Sequence, residues 1–281
     1  MIWKTATRTF DLSSRGLIMG VLNVTTDSFS DGGSFIGREA AVTHGRWLAE
    51  RGADIIDIGG ESTRPGAEPV GEQEEMDRVL PVVEALAAET RVVLSIDTMK
   101  PNVARAAMAT GAAIINDVSG LQQPEMRDVV RDSGAGAIAM HMQGTPRTMQ
   151  LAPRYGDVVA EIRDYFRQIF EACLRSQIDP MRLAFDPGIG FGKTVAHNVA
   201  VIRNLESMRV AERPLVLGAS RKSFISKVTG TPAMEDREWP TVALTSYGRA
   251  HGANIVRVHN VQENAHAMRM MEAFRTLEGT G

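Results

Sequence analysis

A chain of 281 residues with 43% hydrophobic and 23% charged residues has enough apolar material for a sizeable core, which excludes a disordered or low-complexity protein. Lys and Arg number 31 against 34 Asp and Glu, a formal net charge of −3, so no overall basic field draws the chain to nucleic acid or to an anionic membrane. A single cysteine, Cys173, rules out an internal disulfide. No basic-then-apolar leader opens the chain, and no apolar run reaches the length of a membrane span (about 18 residues). A cytoplasmic location is therefore expected.

The first β-rich run is residues 16–23 (GLIMGVLN), followed by 53–59 (ADIIDIG). A helical pattern then covers 72–89, with Met76, Val79, Leu80, Val83 and Leu86 on one side. Pro81 lies inside it and is expected to kink or split it. Further apolar runs follow at 92–98, 113–118 and 136–142. The clearest amphipathic helix spans 157–177, with Val158, Val159, Ile162, Phe166, Ile169, Phe170, Cys173 and Leu174 on one side. Runs at 182–186, 214–219 and 254–259 complete the set, and Ala265, Met268, Met271 and Phe274 mark a closing helix. The runs are nearly continuous in apolar residues rather than alternating, as strands buried on both faces are. Eight β–α alternations without a composition break predict one domain over residues 1–281, a closed (β/α)8 TIM barrel. An open, doubly wound sheet is the alternative.

Each apolar run stops at polar residues. Asn23, Asp57 with Glu61, Asp97, Asn116 with Asp117, His141, Asp186, Ser220, and Arg257 with His259 stand at these ends. In a barrel the C-terminal strand ends share one mouth, where active sites are built. Asn23 opens a polar, Gly-ended loop through residue 33, and its amide oxygen can ligate a hard cation. Gly59-Gly60-Glu61-Ser62-Thr63-Arg64-Pro65-Gly66 reads as a ligand loop, because glycines let backbone approach a ligand and Arg64 can fork onto phosphate. The run from Asp186 to Thr194 imitates a nucleotide P-loop, but its first required glycine falls on Pro187. Its glycines instead suit a side-chain-free wall beside Asp186. Ser220 is expected to cap a helix whose first turn carries Lys222 and Ser223, a place suited to an anion. Alternation puts Arg257 and His259 on one side of the last strand. His141 reads as a hydrogen-bonded structural histidine, and no zinc-binding spacing occurs.

Eight segments taken together, MGVLNVTTDSFSDGG, DIGGESTRPGA, SIDT, INDVSG, HMQGTPRTMQ, FDPGIGFGKT, GASRKSF and IVRVHNV, resemble the dihydropteroate synthase family of pterin-binding TIM barrels. They run in order from the first strand to the eighth, so the resemblance covers nearly the whole chain. It implies a folate-pathway transferase joining a dihydropterin, carried as its CH2-pyrophosphate, to 4-aminobenzoate with loss of pyrophosphate. It assigns the pterin to Asp97, Asn116, Asp186, Lys222 and Arg257, with Met140 and Phe191 lining the pocket. Asp186 would accept two parallel bonds from the pyrimidine edge, and Arg257 would stack on the ring. Pyrophosphate falls to Asn23 with Mg2+, Thr63, Arg64, Arg257 and His259, and 4-aminobenzoate to Ser223, Thr63, Pro65, Phe29 and Phe191. The implied path is SN1-like, with Asp97 and Asp186 supplying negative charge beside a pterin methylene cation and Lys222 assisting. A homodimer through late helices and inhibition by sulfonamides are also implied. Two positions depart from the family pattern: Thr26 stands in place of Pro, and Asn260 in place of an Asp beside His259. A corrinoid-dependent, pterin-binding methyltransferase is the first alternative, and a non-catalytic pterin-binding paralogue the second.

Overall fold

The computed structural model describes residues 1–24, 34–62 and 67–277. All eight apolar runs are strands: β3 (Leu17–Asn23), β4 (Ile55–Gly59), β5 (Val93–Asp97), β6 (Ile114–Asp117), β7 (Gly136–Met140), β8 (Leu183–Asp186), β9 (Val216–Leu217) and β10 (Ile255–Val258). Each is shorter than its apolar run by one to four residues, because the flanking positions leave the hydrogen-bonded ladder. Neighbours pair in parallel, in the order β8-β7-β6-β5-β4-β3-β10-β9. A bridge between Phe185 and Leu215 joins β8 to β9 and closes the ring. An open sheet is thereby excluded, and the fold is a TIM barrel.

Helices alternate with the strands: α1 (Ser34–Glu50), α2 (Glu72–Glu89), α3 (Pro101–Thr110), α4 (Pro124–Ser133), α5 (Val158–Arg175), α6 (Val195–Arg203), α7 (Ser223–Thr229), α8 (Glu238–Ala250) and α9 (Val261–Leu277). Local chemistry sets their starts. The Asp157 side chain accepts from the Val159 and Ala160 N–H groups at the head of α5. Thr194 and His197 form a reciprocal capping box on α6. α2 is one helix of 18 residues with Pro81 inside it, so the expected split does not occur. Its Val79, Val82, Val83 and Leu86 are buried, and that packing holds the turn together.

Strand alternation sorts the side chains. Ile56, Ile58, Leu94 and Ile96 face outward into the strand–helix core. Met19, Ile55, Val93, Ile114, Ile138, Ala184, Val216 and Ile255 share the interior core. That interior also takes Trp3 and Phe10 from a hairpin, β1 (Ile2–Lys4) with β2 (Thr9–Asp11), which plugs the end opposite the active-site mouth. Sequence reading missed this hairpin.

Two residues further along, the inward positions become Asp57, Asn116, Met140, Asp186 and Arg257, and four residues past Met19 and Val93 they become Asn23 and Asp97.

Candidate active site

Five of these mouth residues meet in one place, joined by Phe191 and Lys222. Asp97, Asn116, Met140, Asp186, Phe191, Lys222 and Arg257 line a cleft of about 340 Å³, together with Val118, Gly188, Ile189 and Gly218. Val118, Met140, Met149 and Phe191 form an apolar cluster of their own, with Met99 and Met142 against it. The cleft therefore has greasy walls and a few polar groups, the usual composition of a site for a flat heterocycle.

Arg257 is fixed at two corners. Its Nε donates to Asp57 Oδ2 and its Nη2 to Asp97 Oδ2, both at 2.6 Å. Asp57 Oδ2 also accepts from Asn116 Nδ2 at 3.0 Å. One wholly buried carboxylate thus holds two cleft residues from strands distant in sequence. Burial alone would lower the Arg257 pKa, but the charges of Asp57 and Asp97 outweigh it and raise it. Asp97 is pushed up to about 7 by burial first and then by the charges of Asp57 and Glu75, against the pull of Arg257 and Lys222. Burial also raises Asp186, opposed by the Gly188 N–H, Lys222, Arg257 and Lys193.

Asp186 Oδ1 accepts from the Gly188 N–H at 2.7 Å. Its Oδ2 lies 3.3 Å from where a Cβ on Gly218 would sit, so the absent side chain leaves room beside the carboxylate. Lys222 Nζ stands 4.0 Å from the centre of the Phe191 ring. An acceptor, a mixed donor–acceptor and a cationic donor (Asp186, Asn116 and Lys222) thus border one space.

The glycine-rich turn after β8 is no phosphate loop. Lys193 is 3% exposed, and its Nζ donates to the carbonyls of Gly188 and Phe191, each at 3.0 Å. Its third partner is His141 Nδ1 at 3.1 Å. Burial and the Lys193 charge take His141 down to about 3, so the imidazole is neutral and accepts at Nδ1. Lys193 itself is lowered to about 7 by burial. His141 is structural, and Lys193 staples the turn that carries Phe191. Gly188 (φ +67) has no room for a side chain, because a Cβ would lie 2.0 Å from the His141 carbonyl oxygen. Gly188→Ala combines a left-handed backbone with that clash, and we expect it to cost about 2–5 kcal/mol. Thermal unfolding of the variant at an unchanged temperature would refute this.

The remaining residues singled out from sequence lie elsewhere. Asn23 is half-buried at the end of β3, and Ser223 is exposed at the first position of α7. Ser220 does not cap α7, because Lys222 holds the cap position. The Ser220 hydroxyl instead lies 3.0 Å from His259 Nδ1 and accepts from the His259 backbone N–H at 3.2 Å. Ser220 therefore helps to orient His259. Asn260 uses its carbonyl to accept from Asn264 Nδ2 at 2.6 Å. Thr26, Phe29, Thr63, Arg64 and Pro65 lie outside the described residues. Two contributors were given no role from sequence, Asp57 and Lys193. For Asp57 a signal existed, since it sits at an inward position two residues before the end of β4.

The model of the pterin binding enzyme family matches residues 19–259. The dihydropteroate synthase of Escherichia coli (strain K12) is 44% identical over 256 residues, covering 91% of this chain and 90% of that protein. The chain belongs to the dihydropteroate synthase family. It is a transferase, and folate synthesis is its setting. Solved members of the family superpose closely. A Yersinia pestis dihydropteroate synthase in complex with a sulfonamide drug gives a TM-score of 0.92 at 43% identity, covering 98% of this chain and 100% of that one. The Xanthomonas albilineans enzyme with 4-aminobenzoic acid gives 0.91 at 44% identity, covering 98% of each chain. With 7,8-dihydropteroate it gives 0.88 at 41%, covering 98% and 99%. Among the described residues no helix is long and apolar enough to cross a membrane.

Proposed function

We propose that this dihydropteroate synthase family member condenses 6-hydroxymethyl-7,8-dihydropterin pyrophosphate with 4-aminobenzoate, giving 7,8-dihydropteroate, pyrophosphate and a proton. The observation that carries this reading is the convergence of Asp186, Asn116 and Lys222 on one apolar-walled cleft with Arg257 fixed beside them. The pyrimidine edge of the pterin offers adjacent N–H donors, which Asp186 would accept in parallel. Asn116 would serve the neighbouring edge, and Lys222 would donate to the carbonyl oxygen and ring nitrogen. Arg257, its plane set by Asp57 and Asp97, would stack on the ring and turn its charge toward the leaving group.

The C–O bond to pyrophosphate breaks first, leaving a pterin methylene cation. The carboxylates of Asp97 and Asp186 stabilise that cation, and the aniline nitrogen then forms the new C–N bond. Ionised Asp97 serves this step best. His259, oriented by Ser220, and Arg64 with Thr63 would hold the pyrophosphate oxygens. Ser223 would take the carboxylate of 4-aminobenzoate, with Phe29, Thr63, Pro65 and Phe191 around its ring.

Among the described residues no cluster of three or more His, Cys, Asp or Glu could hold a metal. The half-buried amide of Asn23 suits an ion that takes most of its ligands from water and phosphate, as Mg2+ does. Asn23 would hold Mg2+ arriving with the pyrophosphate, where the ion would offset phosphate charge.

Sulfonamides, which share the aniline and an acidic group with 4-aminobenzoate, would compete for the same place. A homodimer through the late helices is supported by their exposed apolar side chains, with Trp239 at 75% and Phe274 at 57% exposure. A cytoplasmic setting fits a single cysteine that is buried and unpaired. Pyrophosphate release with Mg2+, measured with and without 4-aminobenzoate, tests the reaction. Release accompanied by dihydropteroate only when 4-aminobenzoate is present is the expected result. Pterin binding by the folded protein without any release would overturn the proposal.

A further inference from the structure

A second, part-buried cluster of charge lies beside the cleft, centred on Lys100. Its Nζ meets Glu61 Oε2 at 2.5 Å and also Glu75 Oε2. Glu61 lies two residues past the end of β4, Glu75 lies on α2, and Lys100 holds the cap position of α3. Glu75 is wholly buried, and its Oε1 has no hydrogen-bond partner. Burial alone would lower the Lys100 pKa, but the bonds to Glu61 and Glu75 outweigh it and keep the group cationic.

This cluster ties together the two ends of a short segment. Glu61 Oε1 accepts from the Val70 N–H at 3.3 Å. Arg78 of α2 donates from Nη1 to the Gly60 carbonyl at 2.8 Å. The residues just before position 63 are therefore bound to α2, to the start of α3, and to the chain that resumes after position 66. Holding α2 against the barrel would not by itself require ions, because apolar side chains of similar volume do so at no desolvation cost. A buried glutamate tied through Lys100 to the residue two before position 63 is better explained by the need to place the chain there.

We propose that Lys100 is a positioning residue for substrate binding: by bridging Glu61 to Glu75 it fixes the chain at Glu61 and Val70, on either side of residues 63–66. The proposal rests on the reading above, in which Thr63, Arg64 and Pro65 meet 4-aminobenzoate and pyrophosphate. Lys100 itself lines no part of the pterin cleft. Its loss should therefore act on one substrate and spare the other.

Lys100→Met should raise KM for 4-aminobenzoate about tenfold or more, the effect of losing a charge-assisted bond that sets the loop stem. The dissociation constant for a dihydropterin alone, read by calorimetry, should stay within about twofold. Lys100→Arg, whose fork can reach both carboxylates, should recover most of the loss. Equal weakening of both substrates, or no change in either, overturns the proposal. If Lys100→Met does not fold, Glu61→Gln carries the same expectation and leaves Glu75 paired. Hydrogen exchange reads the brace without turnover: the Val70 amide should exchange about tenfold faster in the Met variant. Unchanged exchange there sinks the proposal even if the wild type is active. Faster exchange in a protein whose wild type makes no dihydropteroate counts against the reaction, not against the brace.

Discussion

Asp186→Asn should bind a dihydropterin at least about a hundredfold more weakly than the wild type, while unfolding at nearly the same temperature. The carboxylate is worth two charge-assisted bonds to the pyrimidine edge, each about 1.5–3 kcal/mol, and 1.4 kcal/mol is a factor of ten. An Asn side chain keeps one acceptor, which the Gly188 N–H already occupies at Oδ1. Its other atom becomes an NH2 donor facing the donors of the ligand, so attraction turns to repulsion. The fold loses little, because the Gly188 bond survives and a buried charge is removed. Calorimetry with the pterin, alongside thermal unfolding of the apo protein, checks both halves. Wild-type affinity in the variant would remove Asp186 from the pterin site. A collapse in stability would make it a structural residue first.

Asp57→Ala should do the reverse, losing stability and substrate together. Asp57 is wholly buried, and its Oδ2 accepts from both Arg257 and Asn116. Without it a guanidinium and an amide remain with unmet donors at the barrel's inner mouth. Removing one partner of a buried ion pair costs about 3–5 kcal/mol. For a chain of this size each kcal/mol moves the midpoint by about 2–4 °C, so a drop on the order of 10 °C is expected. Arg257 would also lose one of its two fixed corners, and kcat/KM should fall with it. A variant melting like the wild type would show that the Arg257–Asp57 contact contributes little. Loss of stability with full activity would separate the pair from catalysis.

Much of the fold could be read in the sequence because parallel strands buried on both faces leave apolar runs, and eight such runs are hard to mistake. Alternation from those runs also explains why Asp97, Asn116, Asp186 and Arg257 face one another. The hairpin of Ile2–Lys4 and Thr9–Asp11 escaped because each strand is only three residues long and buries a single large side chain, Trp3 or Phe10. Such a pattern is too short to carry a period. Pro81 does not split α2, because tertiary packing of the helix outweighs one missing N–H. Ser220 was given the cap of α7 on residue type alone, yet its real partner, His259, lies 39 residues away. Depth was equally hidden. Alternation shows that Asp57 points inward, but not that it reaches Arg257, 200 residues on. Lys193 was given no role once the P-loop pattern failed at Pro187, and only the curl of its own turn shows that two backbone carbonyls and His141 Nδ1 take its protons.

The bridge from Phe185 to Leu215 is where β8 meets β9, and β9 is only two residues long. The ring is thus least well laced at this seam, and a partial opening of the barrel would begin there. Asp186 and Lys222 stand on opposite banks of it. A flat molecule gripped by both would act as a suture, so occupancy and closure of the ring become one equilibrium. Each filled site would then shift the population toward the closed ring by mass action, without a moving domain.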